Sequence, residues 1–424
     1  MEQKIKNVIL AVCDSLRRDI ALEVGLEKVA KGVCFECVAQ ANCTPAAVTS
    51  ILTGLNPSTH LIHRFDQTFD PFIPTYFSIF QKKGYLFNYL SMGKDVPVTD
   101  CQDKPLLSYI GVPFDSSKKL EFYLKNEKNF ALLLHFWDTH TPYLLENKTG
   151  AEVDKLFSEM ITEGKISEVK KIYRDSVEYL KENKVKAIIE LLEKYDKTEE
   201  TLFVVVGDHG EMLGEKYDWA NYTPALVPGS PVNHVGVLIP ETVDVPLIFF
   251  NPNISQPKCE IIARQVDILP TILSLLNIPY SPMDFEGVNL FEFEGVLAAF
   301  SIGVHPSIPR YLTKKKEEWI AWIEEPLFKR VSVRVLNDFY VATENGEILA
   351  DFKSRQIIYN ELRMDVLRAY ANRFKRGKFK GIVSTKSPIF SGKLIFDSRG
   401  AIVISEEEES GRKIKERLKQ LGYL

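Results

Sequence analysis

Several short stretches of this chain hold side chains able to do chemistry together. The first is N-C-T-P-A-A-V-T-S-I-L-T-G-L, residues 42–55. Thr44 suits a helix N-cap, Pro45 the first helical turn and Gly54 the stop, so Cys43 is expected just before a short helix. The free N–H groups at such an end favour an anion and lower the pKa of a nearby thiol. The segment alone leaves two readings level, an activated thiol or a small buried cysteine. Asp14 closes an apolar run near the start, and the pair Asp208-His209 closes another. Carboxylates and an imidazole brought together suit a divalent ion such as Mn²⁺, Zn²⁺, Mg²⁺ or Ca²⁺. His140 follows Asp138 by two residues in D-T-H-T-P-Y, and His234 precedes a further apolar run. Imidazoles so placed can bind oxyanions or pass protons.

The elements that must position these groups are legible as apolar runs. Val8–Val12, Ala131–Phe136, Leu202–Val206 and Val245–Phe250 are near-continuous and read as buried parallel strands, with Leu86–Leu90 as a weaker fifth. Glu168–Lys194 repeats its apolar residues at helical spacing. Strands alternating with helices predict an α/β fold with a doubly wound sheet. In such sheets ligands bind at the C-terminal strand ends, where Asp14, Asp138, His140, Asp208 and His209 all fall. Past residue 300, Val331–Thr343 and Glu347–Phe352 read as short antiparallel strands around an Asn345–Gly346 turn. The end of the chain runs from an acidic stretch into a basic amphipathic helix. The expected organisation is a catalytic domain over 1–300 and a smaller α+β subdomain over 301–424.

With 424 residues, a net charge of −4 and 26% charged residues, the chain carries no nucleic-acid footprint. No apolar stretch is long enough to span a membrane. The short apolar run near Met1 ends in Asp14 and reads as a strand rather than a signal peptide, which points to the cytoplasm. Six cysteines in a chain this long make no disulfide framework, and Cys34 and Cys37 read as strand residues.

The ordered motifs resemble the sulfatase family of the alkaline phosphatase superfamily. C-x-P-x-x-x-x-x-x-L-T-G at Cys43 looks like the family signature, in which the cysteine becomes a formylglycine nucleophile. V-I-L-A-V-C-D-S-L-R-R-D, H-F-W-D-T-H-T-P-Y, L-F-V-V-V-G-D-H-G-E, N-H-V-G, V-D-I-L-P-T-I-L-S-L-L-N-I-P and F-E-G-V-N-L-F resemble further family blocks, in family order. The resemblance implies an alkaline-phosphatase-like doubly wound mixed sheet with a smaller C-terminal α+β subdomain. It implies one divalent metal held by Asp14, Cys43, Asp208 and His209. It makes Cys43, His140 and His234 catalytic, with His140 and His234 also binding substrate. Lys94, in M-G-K-D, corresponds to a family substrate-binding lysine, although the W-H that usually follows is absent. Arg17, Arg18 and Asp19 are given structural or rim roles, and Glu211 a supporting one.

Three departures sharpen the expectation. Ala46 and Ala47 stand where the family has Ser and Arg, so Cys43 is expected to stay an unmodified thiol rather than formylglycine. Ser15 replaces a second Asp, and His209 replaces an Asn. That pair resembles the phosphonate monoester hydrolases, phosphodiesterases and choline-sulfatase-like enzymes. The implied activity is hydrolysis of phosphate-, phosphonate- or sulfate-type esters through a covalent intermediate on residue 43. Transfer to another acceptor and a catalytically weak metal-binding homologue are the alternatives. The expected partner is a small-molecule ester, with homo-oligomerisation left open.

Overall fold

The computed structural model describes residues 5–60, 73–90, 117–215 and 238–303 almost continuously, with residue 62 and short segments at 95–96 and 232–234. Beyond 330 it describes most of 331–371 and strands at 381–387, 390–396 and 402–403. Lys94 and the expected terminal helix lie outside the described residues.

A chain rich in continuous apolar runs buries them in one large sheet. Its first strands are β1 (Asn7–Cys13), β2 (Gly32–Val38), β3 (Leu86–Leu90), β4 (Asp95–Val96), β5 (Phe130–Phe136) and β6 (Thr201–Gly207). A separate ribbon pairs β7 (Met212–Leu213) with β8 (Val232–Asn233). β9 (Asp244–Phe250) and β10 (Ala263–Arg264) complete the large sheet, whose order is β10-β2-β9-β6-β1-β5-β3-β4. Both faces are covered, and the alternation of side chains along each strand feeds two cores. Val8, Leu10 and Val12 enter one core with Val204 and Val206, while Ile9, Ala11 and Cys13 enter the other with Phe203 and Val205.

Three of the four strong strand expectations pair in parallel, since β1 lies between β5 and β6. β9 runs antiparallel to both β6 and β2, so the Val245–Phe250 segment corrects the all-parallel reading. A strand buried on both faces shows the same apolar run in either direction, which is why periodicity does not reveal its sense. Glu168–Lys194 is helical, as Ile166–Leu180 and Lys186–Lys194 joined by a wider turn at Lys181–Val185. Cys34 and Cys37 lie in β2 as free cysteines.

A second, antiparallel sheet joins β11 (Ala299–Ile302), β12 (Val331–Val335), β13 (Asp338–Thr343) and β14 (Gly346–Asp351). Val331–Thr343 is thus two strands, broken at Leu336, whose φ is +53°. Ala299, Phe339, Val341 and Ala350 pack on Val38, Leu238 and Val243, seating this sheet against the large one. Among the described residues no helix is long and apolar enough to cross a membrane.

Two helices matter for the site. α1 (Arg18–Glu23) follows β1, and α2 (Thr44–Thr53) follows β2. All ten residues of α2 are buried, and its hydroxyls at Thr49 and Thr53 are satisfied by carbonyls four residues back. Gly54 closes it at φ +67°, with the Phe285 ring 2.7 Å from where a Cβ would stand. Cys43, in extended conformation, is the N-cap of α2, and Thr44 is the first helical residue. The cap is therefore one residue earlier than the sequence suggested.

Candidate metal centre and active site

Neighbouring strands deliver the polar groups to one place. β6, β1 and β5 lie side by side, so the residues after their C-terminal ends converge. The Asp14 amide donates to Phe136 O at 2.8 Å, and the Asp208 amide to Cys13 O at 3.2 Å, locking the three strand ends together. Ser15 turns the chain with φ +58°, and its amide donates to Asp208 Oδ1 at 3.0 Å. Its hydroxyl donates to Asp14 Oδ1 at 3.1 Å. Ser15 therefore binds both carboxylates from the place where the family usually has an acid. The Asp208-His209-Gly210-Glu211 loop is held by Gly210 N–H and Glu211 N–H on the carbonyls of Thr242 and Glu241. A Cβ at residue 210 would stand 1.9 Å from the Glu241 carbonyl oxygen, so only glycine permits this approach.

Asp14, His135 and Asp208 each place a ligand atom within 4.8 Å of the others, all buried. His209 Nε2 stands 3.7 Å from Asp14 Oδ1 and 3.5 Å from Asp208 Oδ2. His135 and Asp208 also hold buried atoms without a hydrogen-bond partner, Nε2 and Oδ2. Two carboxylates cannot share a buried space as anions without positive charge between them. Burial works to raise the Asp14 carboxyl, but His140, His209 and His135 outweigh it and hold it low. Burial, with the charge of Asp14, pushes Asp208 well above the usual carboxylate range. The orphaned Asp208 Oδ2 beside a second acid and the His209 imidazole fits a divalent cation.

The hydrogen bonds separate the two imidazoles. His209 Nδ1 is 3.0 Å from Gly210 O, which only accepts, so Nδ1 holds the proton and Nε2 offers a lone pair toward the acids. His135 is the reverse. Its Nδ1 accepts from the Trp137 indole N–H at 3.2 Å, so the neutral ring holds its proton on Nε2, 3.6 Å from Asp14 Oδ2. Burial brings His135 down to about 4 and His209 down to about 3, so both rings are neutral at ordinary pH. Asp14, Asp208 and His209 have the chemistry of metal ligands, and the His135 Nε2–H lies beside Asp14 without a hydrogen-bond partner.

Cys43 lies close enough for the charge of Asp208 to act on its thiol. Its thiol is fully buried and pushed up to about 12 by that burial, which the Ala46 N–H only partly offsets. Thr44 follows as the first residue of the helix. Its hydroxyl lies 3.4 Å from Asp14 Oδ2 and 3.4 Å from His209 Nε2.

His140 and His234 form the rim. The His234 ring centroid is 4.1 Å from that of His209 and 5.8 Å from that of His140. His234 Nδ1 is 3.3 Å from both Glu211 carboxylate oxygens. Tyr143, in the T-P-Y turn after His140, donates its hydroxyl to Glu211 Oε2 at 3.0 Å. Burial works to lower His234, but the Glu211 carboxylate outweighs it and raises the imidazole above its ordinary value. Arg17 is buried and structural, bonding to Asp19, Glu215 and the Glu211 carbonyl.

The sequence reading missed His135 and Thr44 as site residues. His135 had a signal, an imidazole inside the otherwise apolar run F-A-L-L-L-H-F. Thr44 had none beyond its place beside Cys43.

The Sulfatase family model matches residues 115–278, which hold His135, His140, Asp208, His209 and His234. Over that stretch the chain is similar to the sulfatase family. It is 27% identical over 297 residues to the low-salt glycan biosynthesis sulfotransferase Agl7 of Haloferax volcanii, covering 68% of this chain. The match spans 65% of that relative's length. A 2-O GAG sulfatase structure has a TM-score of 0.58 at 15% identity, covering 88% of this chain and 93% of that one. The phosphonate monoester hydrolase of Agrobacterium radiobacter has a TM-score of 0.56 at 14% identity, covering 82% and 90%. Both share the mixed α/β fold.

Proposed function

We propose that this chain is a metal-dependent hydrolase of phosphate-, phosphonate- or sulfate-type esters of small molecules. The observation that supports it is the convergence of Asp14, Asp208 and His209 beneath the paired imidazoles of His140 and His234. A divalent cation held by Asp14, Asp208 and His209 would supply positive charge to a bound oxyanion. The protein's part is then orientation and proton transfer. Ser15 fixes both carboxylates. Glu211 holds His234, whose imidazolium can protonate the leaving oxygen, with His140 beside it. A hydroxyl at the mouth of α2 supports the covalent route.

Ser15 and His209 favour phosphodiesters and phosphonate monoesters over aryl sulfates. A second reading, transfer of a sulfo group to an acceptor alcohol, is favoured by the name of the Haloferax relative. Nitrophenyl phosphodiester, phosphonate and sulfate, each with Mn²⁺ and with or without an added alcohol, separate these. The phosphorus esters are expected to lead in kcat/KM. Sulfate turnover at least about tenfold above every phosphorus ester, a gap of about 1.4 kcal/mol, would overturn the preference. Sulfated alcohol as the main product would favour transfer.

A further inference from the structure

We propose that Tyr173 is a positioning residue for the metal site, its hydroxyl holding the Ser15 turn in the shape that aims Asp14 and Asp208 before any ion binds. The inference rests on the metal-dependent reading above and names a residue, remote in sequence, that prepares its metal site.

β1 ends at Cys13, and residues 14–17 carry the chain from that strand into α1. Within this turn Ser15 has φ +58°, a left-handed conformation that a residue with a Cβ seldom adopts without support. The conformation has a use. With the chain so turned, Ser15 N–H donates to Asp208 Oδ1 at 3.0 Å while its hydroxyl donates to Asp14 Oδ1 at 3.1 Å. One residue thereby sets the direction of both carboxylates, as groups that orient metal ligands do.

The support comes from the helix Ile166–Leu180. Its Tyr173 lies 158 residues beyond Ser15 in the chain, and the Tyr173 hydroxyl donates to Ser15 O at 2.6 Å. The same oxygen accepts from Arg17 N–H at 2.9 Å. The phenol thus bridges the turn from its second residue to its fourth. It satisfies a buried carbonyl and a buried N–H together, as a trapped water would.

A phenol differs from a water in being anchored. The Tyr173 ring packs edge-on against Tyr143, with centroids 5.8 Å apart. Val169 and Val177, one turn to either side, lie in the same core cluster. The hydroxyl therefore cannot exchange or drift, and the fold rather than the ion sets the shape of the turn. Ligands already held in place lose less freedom on binding, so they bind more tightly.

Two measurements test this. The first uses the whole wild-type chain, with hydrogen exchange read by mass spectrometry. The peptide covering Ser15 to Arg17 should be protected in chelator, with little further protection when Mn²⁺ is added. Free exchange in chelator, with protection only in Mn²⁺, would mean that the ion shapes the turn, and would overturn the inference. The second is the Mn²⁺ dissociation constant of Tyr173→Phe, by calorimetric titration well below its melting temperature. This variant keeps the ring and loses only the bridge. Its affinity should fall roughly 10–100-fold, the range for losing a group that orients metal ligands. Val177→Ala, which opens a cavity one turn along the same helix, is the contrast. It should lower the melting temperature and leave Mn²⁺ affinity at the wild-type value. Wild-type affinity in Tyr173→Phe, or an equal loss in Val177→Ala, would overturn the inference and leave the metal-dependent reading standing. If Tyr173→Phe does not fold, the exchange measurement on wild type decides. A wild-type protein that takes up no divalent ion would sink the metal-dependent reading, and this inference with it.

Discussion

The floor and the rim of the site are built on opposite principles. On the floor, Asp14, Asp208, His135 and His209 are fully buried, and two of their polar atoms have no partner. At the rim, His140 and His234 are partly exposed, and each has a hydrogen-bonded ring nitrogen. A buried group left unsatisfied costs stability unless something else satisfies it. The orphaned Asp208 Oδ2 on the floor has room for a cation, whereas the rim imidazoles already hold protein partners. On the proposed reading, binding belongs to the floor and proton transfer to the rim.

The largest expected break in this contrast comes from Asp208→Ala. It should abolish tight metal binding, read by elemental analysis, and reduce turnover by several orders of magnitude. The metal-free variant should be as stable as wild type or more so, since it loses one of two mutually repelling buried carboxylates. A variant that still retains the ion would dissolve the distinction between floor and rim.

A smaller effect should come from Glu211→Gln, which touches the rim alone. His234 would keep its place but lose the anion that favours its imidazolium. Turnover should fall roughly 10–100-fold, within the range found for losing support of a catalytic histidine. KM and metal content should change little, and esters with poor leaving groups should suffer most. Loss of metal in this variant would place Glu211 with the floor instead.

The smallest effect is on pH dependence of stability without metal. Unfolded histidines titrate near 6.5, whereas burial holds His135 at about 4 and His209 at about 3. Between those values the unfolded chain binds more protons than the folded one, so stability falls as pH drops below about 6.5. Each such imidazole adds a slope of up to about 1.4 kcal/mol per pH unit until its folded value is reached. Thermal melts in chelator from pH 7 to 4 should show this decline, reduced in His135→Asn. An unchanged melting temperature across that range would contradict the neutral-ring assignment.

Much of this was written along the chain. The runs N-V-I-L-A-V-C, F-A-L-L-L-H-F and T-L-F-V-V-V-G could only be strands covered on both faces, and the polar residues after them had to fall at one end of the sheet. Asp14, Asp208, His209 and His140 were picked out for that reason, and His234 through the family resemblance. The sense of β9 was not, because an apolar run carries no direction. Nor was His135, since one imidazole in a strand does not say what stands across from it. Between Cys43 and Thr44, the sequence offered two adjacent side chains at one helix end. The structure puts the cap at Cys43 and brings the Thr44 hydroxyl to Asp14. The sequence by itself determined the strands and the set of reactive groups they carry, because burial on both faces demands continuous apolar runs. Only the tertiary structure decided which groups meet in the site, because Asp14, Ser15, Asp208 and His209 come from strands more than a hundred residues apart in sequence.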